Sequence, residues 1–530
     1  MTDSLTCRAA RTANFDKGGK QMNLRSGKPT AILAALALGL VLTAGAAQAQ
    51  STLRIGLAED PDVLDPTLAR TYVGRIVFAS ICDKLFDIDE KLAVVPQLAL
   101  SHQVSGDGKA VTIKLRPGVK FHDGEPFNAE AAKFSLERHL TMQGSFRRAE
   151  IAQVDKVEVV DPLTIRLQLK SPFSPLIAQL TDRAGMMVSP KAAKALGDKF
   201  GTAPVCAGPY RFVERVPQDR IVVERFKDYW DAKRVKIDRI VYRPIQDSTV
   251  RLANLKSGQL DLLERMLATD VEEVKKDPKL RLATGTELGY QGVTINLANG
   301  EKGNTPLGRN PKVRQALELA LDRETINKVV FNGLHKVDNQ WVPPASPYHM
   351  DRFPTPKRDV AKARALLKEA GVTTPVAIDF MVPNNPESRA VAEVMQAMAA
   401  EAGFDLKIRV TEFATSLNEA EKGNFNLYFL AWSGRTDPDG NIFSFASCSG
   451  PLNYGKYCDP KVDELLTQAR TATTMSVRKT LYEQAAAEIL PRGGVIYLYH
   501  RTLLFAHSPK LAGFKVMPDG LIRVTDLELK

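Results

Sequence analysis

Cysteine is scarce in this chain, five in 530 residues, and none lies in a CxxC pair or within a few residues of a histidine. The usual spacing of a structural zinc site is therefore absent. The seven histidines (102, 122, 139, 335, 349, 500 and 507) show no HxH or HxxxH spacing, so direct nickel or zinc chelation has no motif behind it. Neither GxSxG nor HExxH occurs, which removes two hydrolase signatures. Gly450-PLNY-Gly455-Lys456 matches the spacing of a phosphate-binding loop, but Tyr457 stands where that loop needs Ser or Thr. There is no Lys/Arg block: 72 basic against 61 acidic residues give +11, spread as on a solvated mixed surface. That distribution excludes the concentrated patch on which nucleic-acid binding depends. No internal repeat or low-complexity linker appears, and only one apolar run invites comparison with a membrane span.

That run lies near the start. From Met22, Arg25 and Lys28 precede an apolar stretch, Ala31–Ala46, and Ala47-Gln48-Ala49 follows as a small-x-small cleavage site. These are the three parts of a secretory signal peptide. The run is diluted by Ala and Gly and falls short of the ~20 apolar residues of a spanning helix. No cysteine follows it to carry a lipid. Residues 1–49 are thus read as a signal peptide with an upstream extension, the start being Met1 or Met22, and the mature chain as exported.

Export makes the remaining cysteines readable, because an even number in an oxidising compartment favours disulfides. Four are left, and they permit three pairings. Cys448 and Cys458 flank the polar loop SGPLNYGKY and are expected to pair, which leaves Cys82 with Cys206.

The mature chain alternates strand and helix signals. Residues 51–125 read as short strands and turns, VTIKL (111–115) alternating cleanly. Asn128 caps a helix, AEAAKFSLERHL, and residues 154–170 form a hairpin turning at Asp161-Pro162. PYRFVERV, DRIVVERF and IDRIVYRPI are strands, and Asn310-Pro311 opens a helix with Val313, Ala316, Leu317 and Ala320 on one face. Residues 359–411 give helix, strand, helix, strand; NLYFLAWSG and GVIYLYHRTLLFAH add further strands. Two α/β lobes joined through their sheets follow from this order.

PDVLDPTLAR, LRPGVKFHDGEPFNAEAAKFSLER, AGPYRFVERV, PKVRQALELALDRETI and AWSGRTDPDGNIFSF followed by YCDP carry a resemblance. The chain resembles the extracytoplasmic solute-binding proteins of peptide, dipeptide and nickel ABC importers, the oligopeptide-binding-protein-like family 5, over nearly its whole mature length. The resemblance implies an α/β fold, a two-lobed periplasmic-binding-protein clamshell with an additional small α+β subdomain in the first lobe. Its divisions fall at 50–95 (first lobe), 96–204 (subdomain), 205–292 (first lobe resumed), 293–496 (second lobe) and 497–530 (C-terminal return). It implies a periplasmic monomer without a cofactor and without catalysis, which holds a peptide or peptide-like ligand. Delivery is to an inner-membrane permease and its ATPase subunits. The alternatives are a non-peptide ligand (an anionic solute, metal chelate, haem or opine-like compound) and an exported hydrolase.

A closing cleft needs aromatics beside charges on strand-end loops, which points to Trp432, Ser433, Arg435 and Asp437. In the family this segment lies along the ligand, with Trp432 walling a pocket; the other reading of Trp432 is a core residue. Dipeptide-binding relatives carry an Asp near the place of Arg435, and an Arg where Val382-Pro383 stands here. Those departures suggest an anionic or modified ligand met by Arg435. Tyr72, Tyr290, Gln291, Asn384, Arg389, Tyr497, Tyr499 and His500 complete the candidate ligand-binding set, while Asp439 and Asn441 belong to Asp-Pro-Asp-Gly turn chemistry.

Overall fold

The structure, a computed structural model, describes residues 50–530. The signal peptide expected over residues 1–49, and with it the choice between Met1 and Met22, lies outside them. Among the described residues no helix is long and apolar enough to cross a membrane.

The first lobe is built on seven strands in the order 281–286, 502–507, 262–263, 52–57, 239–244, 220–225 and 210–216. Thr52–Leu57 runs parallel to both Arg239–Pro244 and Leu262–Leu263 at the centre. Leu53, Ile55 and Leu57 are all fully buried, as a central strand covered on both faces requires. The two alternating runs at 210–225 form the expected hairpin on one edge.

Residues 72–81 depart from the reading of short strands and turns. Tyr72–Ile81 is an α-helix whose N-cap, Thr71, accepts from the Gly74 backbone N–H at 3.3 Å. Val73, Ile76, Val77 and Ile81 repeat at helical spacing and are fully buried. Burial of that face outweighs the strand preference of a run rich in Val and Ile.

The second lobe holds six strands in the order 336–337, 495–500, 290–295, 427–432, 376–383 and 404–411. Helix Pro311–Ala320 packs Val313, Ala316, Leu317 and Ala320 into its core, started by Asn310 and a proline at the first helical position. A four-stranded antiparallel sheet, in the order 99–104, 110–115, 164–169 and 154–161, forms the small subdomain with helix Ala129–Thr141. It has a core of its own around Ile113, Phe121, Leu136, Ile165 and Leu167. Asp437-Pro438-Asp439-Gly440, expected as a turn, opens a helix, Asp439–Ala446, because Pro438 presets the backbone at its N-cap.

The chain passes between the two large sheets twice. Strand 281–286 continues through Glu287-Leu288-Gly289 into 290–295, and strand 495–500 continues through Arg501 into 502–507.

The disulfides are Cys82–Cys206, closing a separation of 124 residues, and Cys448–Cys458, closing 10. Loop-closure entropy assigns about 5 kcal/mol to the first and about 3 kcal/mol to the second. Replacing Cys82 and Cys206 by Ala is therefore expected to cost about 2 kcal/mol more in guanidinium unfolding than replacing Cys448 and Cys458. Equal losses would show that local strain, not chain entropy, sets their worth.

Candidate functional site

The double crossing is pinned by one ion pair. Arg501 Nε and Nη2 donate to the Glu287 carboxylate at 3.1 and 2.9 Å, and the Arg501 and Glu287 backbone N–H groups add bonds of 3.2 and 3.0 Å across the same step. Burial disfavours charge on both, yet each holds the other ionised: Glu287 lies below the ordinary carboxylate range and Arg501 above the usual guanidinium range. Gln291 Nε2 donates to the same carboxylate at 3.3 Å.

Beside this hinge lies a cleft formed where the carboxyl ends of parallel strands from both sheets converge, the place where open α/β sheets offer binding crevices. From the first lobe come Ala58 and Glu59 after strand 52–57, Gln246 and Ser248 after 239–244, and Arg265 and Leu267 after 262–263. From the second come Pro383–Ser388 after strand 376–383, Phe413 after 404–411, and Ala431–Ser433 at the end of 427–432. The cleft holds a cavity of about 100 Å³, several times what one water needs. The walls are aromatic and charged: Tyr72, Tyr499, Trp432 and Phe413, with Arg70, Arg251, Arg265, Arg501, Glu59 and Glu387.

The lobes also touch each other directly. Arg70 Nη2 donates to Asn418 Oδ1 at 2.7 Å, and Nη1 stands 3.3 Å from Glu421 Oε2. Arg75 Nη1 donates to Ser433 Oγ at 2.8 Å, while its Nη2 lies 2.6 Å from Asp182. The described conformation is therefore closed.

Of the residues singled out in the sequence, Tyr72, Gln291, Asn384, Trp432, Ser433 and Tyr499 line the cleft. Tyr72 is fixed by its hydroxyl, which donates to the Gly520 carbonyl, and by Arg265 stacked 4.8 Å above its ring. Trp432 donates its indole N–H to Asn441 Oδ1 at 3.0 Å, which sets the ring against Phe445.

Six others lie elsewhere. Arg435 does not face the cleft: its Nε stands 3.0 Å from Asp182 Oδ2 in the subdomain, and its guanidinium stacks on Trp432. This corrects the expectation of an anionic ligand met by Arg435, since its charge is already engaged. Arg75, Arg183 and Arg435 together offset the burial cost and hold Asp182 well below the usual carboxylate range; burial lowers Arg435 to about 10. Asp437 is a partner of Arg478, with two bonds of 2.7 Å. Tyr290 and Tyr497 pack edge to face in the core at 4.7 Å. His500 is buried at the hinge, its Nδ1 2.5 Å from the Gly289 carbonyl oxygen and its Nε2 3.2 Å from Asp338. Arg389 is exposed on helix Pro386–Ala402.

Sequence reasoning passed over Glu59, Arg70, Arg251, Arg265, Glu387 and Arg501. One signal was readable: Asn385-Pro386 is an N-cap and first-turn pair after a strand, which puts Glu387 at a strand-to-helix junction. Arg265 sits at φ 50°, a backbone conformation no sequence pattern announces for arginine.

The profile of bacterial extracellular solute-binding proteins, family 5 Middle, matches residues 93–453. The glutathione-binding protein GsiB of Pectobacterium atrosepticum is 34% identical over 88% of this chain and 92% of its own. Two solved structures superpose with a TM-score of 0.83. The periplasmic binding protein AgaA of A. tumefaciens R10, in complex with agropinic acid, is 26% identical over 90% of this chain and 99% of its own. The dipeptide-binding protein of Pseudoalteromonas sp. SM9913, in complex with Met-Leu, is 25% identical over 90% of this chain and 100% of its own.

Because Arg435 bridges protein to protein, Arg435→Ala is expected to weaken every solute held in the cleft by a similar factor. A lost charge-assisted bond of about 1.5–3 kcal/mol corresponds to roughly 10- to 100-fold. Calorimetric titration with solutes of opposite charge checks this; a loss confined to anionic solutes would return Arg435 to the ligand.

Proposed function

Since the chain belongs to the bacterial extracellular solute-binding proteins of family 5, the capturing components of ABC importers, we propose that its cargo is a short, peptide-like solute. It is taken up outside the cytoplasmic membrane, enclosed between the lobes and passed unchanged to the permease.

One observation carries the peptide-like character. Strand Leu427–Trp432 pairs along its whole length with Tyr290–Ile295, but its other side meets strand Val376–Pro383 only at Leu427 and Tyr428. Beyond Tyr428 the second side has no strand partner among the described residues, and Phe429, Ala431, Trp432 and Ser433 form the cleft wall there. An extended solute with amide groups can pair with that free backbone as an added strand, while its side chains meet the aromatic walls. Arginines and carboxylates in the same cleft suit a solute that carries both charges. Two of the relatives' ligands, glutathione and Met-Leu, are of this kind.

Mass spectrometry of whatever co-purifies with the exported protein, followed by thermal-shift screening of small peptides, opines and metal chelates, checks the proposal. A peptide-like solute at 100 times its dissociation constant is expected to stabilise the protein by about 2.7 kcal/mol and to be recovered intact. Stabilisation by non-peptide compounds alone would overturn the reading, as would cleavage of the bound peptide.

A further inference from the structure

The hinge end of the cleft holds an unbalanced set of charges. Glu387, in the first turn of helix Pro386–Ala402, lines the cleft, yet among the described residues neither of its oxygens accepts a hydrogen bond and no cation lies within 4 Å. Other acids in this cluster are engaged. Glu59 takes Arg265 Nη1 at 3.1 Å, Glu264 takes the Ala58 N–H at 2.6 Å, and Glu287 takes Arg501. Facing Glu387 are two guanidinium groups with an arm to spare: Arg501 is bonded through Nε and Nη2, and Arg265 through Nη1, which leaves Arg501 Nη1 and Arg265 Nη2 without hydrogen-bond partners among the described residues. Arg251 is nearby, but both of its terminal nitrogens are already bonded, to the Ile245, Gln246 and Arg265 carbonyl oxygens.

Resting on the peptide-like reading above, we propose that this end of the cleft takes an α-amino-acid group. Its ammonium is held by Glu387 and its carboxylate by the free arms of Arg501 and Arg265. The inference sets a chemical condition on the solute. In an ordinary α-linked peptide the ammonium and the carboxylate stand at opposite ends, on different residues. Within a peptide, only a residue linked through its side chain, as in a γ-glutamyl peptide, presents both charges on one carbon. A free carboxylate opposite two free guanidinium arms at one end of a cleft is complementary to that paired head, with charge-assisted bonds on both sides.

Burial raises Glu387 above the ordinary carboxylate range, with Arg501, Arg265 and Arg251 pulling the other way. A half-buried acid without a partner is poorly satisfied when the cleft is empty and gains when an ammonium arrives. Its removal should accordingly leave folding intact.

Calorimetric titration of the mature protein with γ-Glu-Cys-Gly, its α-linked isomer, its N-acetyl derivative and Met-Leu tests the proposal in the wild type and in Glu387→Gln. The expected wild type binds the γ-linked peptide at least tenfold more tightly than the α-linked isomer and the acetylated form. The variant is expected to lose at least tenfold for the γ-linked peptide, to shrink its advantage over the acetylated form below threefold, and to melt no lower than the wild type without ligand. Equal or tighter binding of the α-linked isomer or of Met-Leu would overturn the inference and leave the peptide-like reading standing, as would an undiminished preference in the variant. Binding of none of the four by the wild type would overturn both.

Discussion

The Glu287–Arg501 pair is the constraint on which the rest of the molecule depends. Two strands leave one sheet and enter the other side by side, and this pair, reinforced by backbone bonds in both directions, fixes the spacing of the two crossings. Fixing them fixes where the carboxyl ends of the two sets of parallel strands face each other, and so where the cleft lies. Such a pair is costly to desolvate, and it repays that cost only because nearly every donor and acceptor in it is used. Among the described residues one guanidinium nitrogen, Arg501 Nη1, is left without a partner, and Arg501 lines the cleft.

Closure is shared between solute and protein. Driving a two-state clamshell from 1% to 99% closed takes about 5.5 kcal/mol of preference for the closed form. Here the lobes contribute part of it directly, through Arg70 to Asn418 and Glu421, Arg75 to Ser433, and Arg435 to Asp182. The Arg435 contact is deeply buried and the Glu421 one lies near the surface, where solvent screens it. The solute then needs to supply only the remainder, which allows a receptor to hold cargo firmly without making its release prohibitively slow.

How much of this was legible in the sequence follows from the range of the forces involved. Short-range chemistry was read well: Asn128 and Asn310 cap helices, the runs at 210–225 form a hairpin, and the cysteines pair as the polar loop between Cys448 and Cys458 implies. The helix at Tyr72–Ile81 was not, because tertiary burial overrode a run of β-branched residues. Trp432 and Ser433 were identified as cleft residues from the strand running out into a loop. Arg435, two positions further on, was misjudged because its partner Asp182 is some 250 residues away in sequence, and no local pattern signals such a pairing. Glu387, Arg265 and Arg501 belong to the same class: each is an unremarkable charge until the fold gathers it.

Two glycines carry a consequence for how such receptors diversify. At Gly289 a side chain would collide with the Trp432 carbonyl, and at Gly434, where φ is +77°, it would collide with the Leu288 backbone. The loop bearing Trp432 and the hinge strand thus touch main chain to main chain, and neither can drift in evolution without parting the other. New cargo preferences are then written elsewhere on the same lobe, in the strand-to-helix turn that follows Pro383, where side chains other than the N-cap Asn385 can change without disturbing the joint. A directed-evolution library aimed at altered cargo would be best concentrated there.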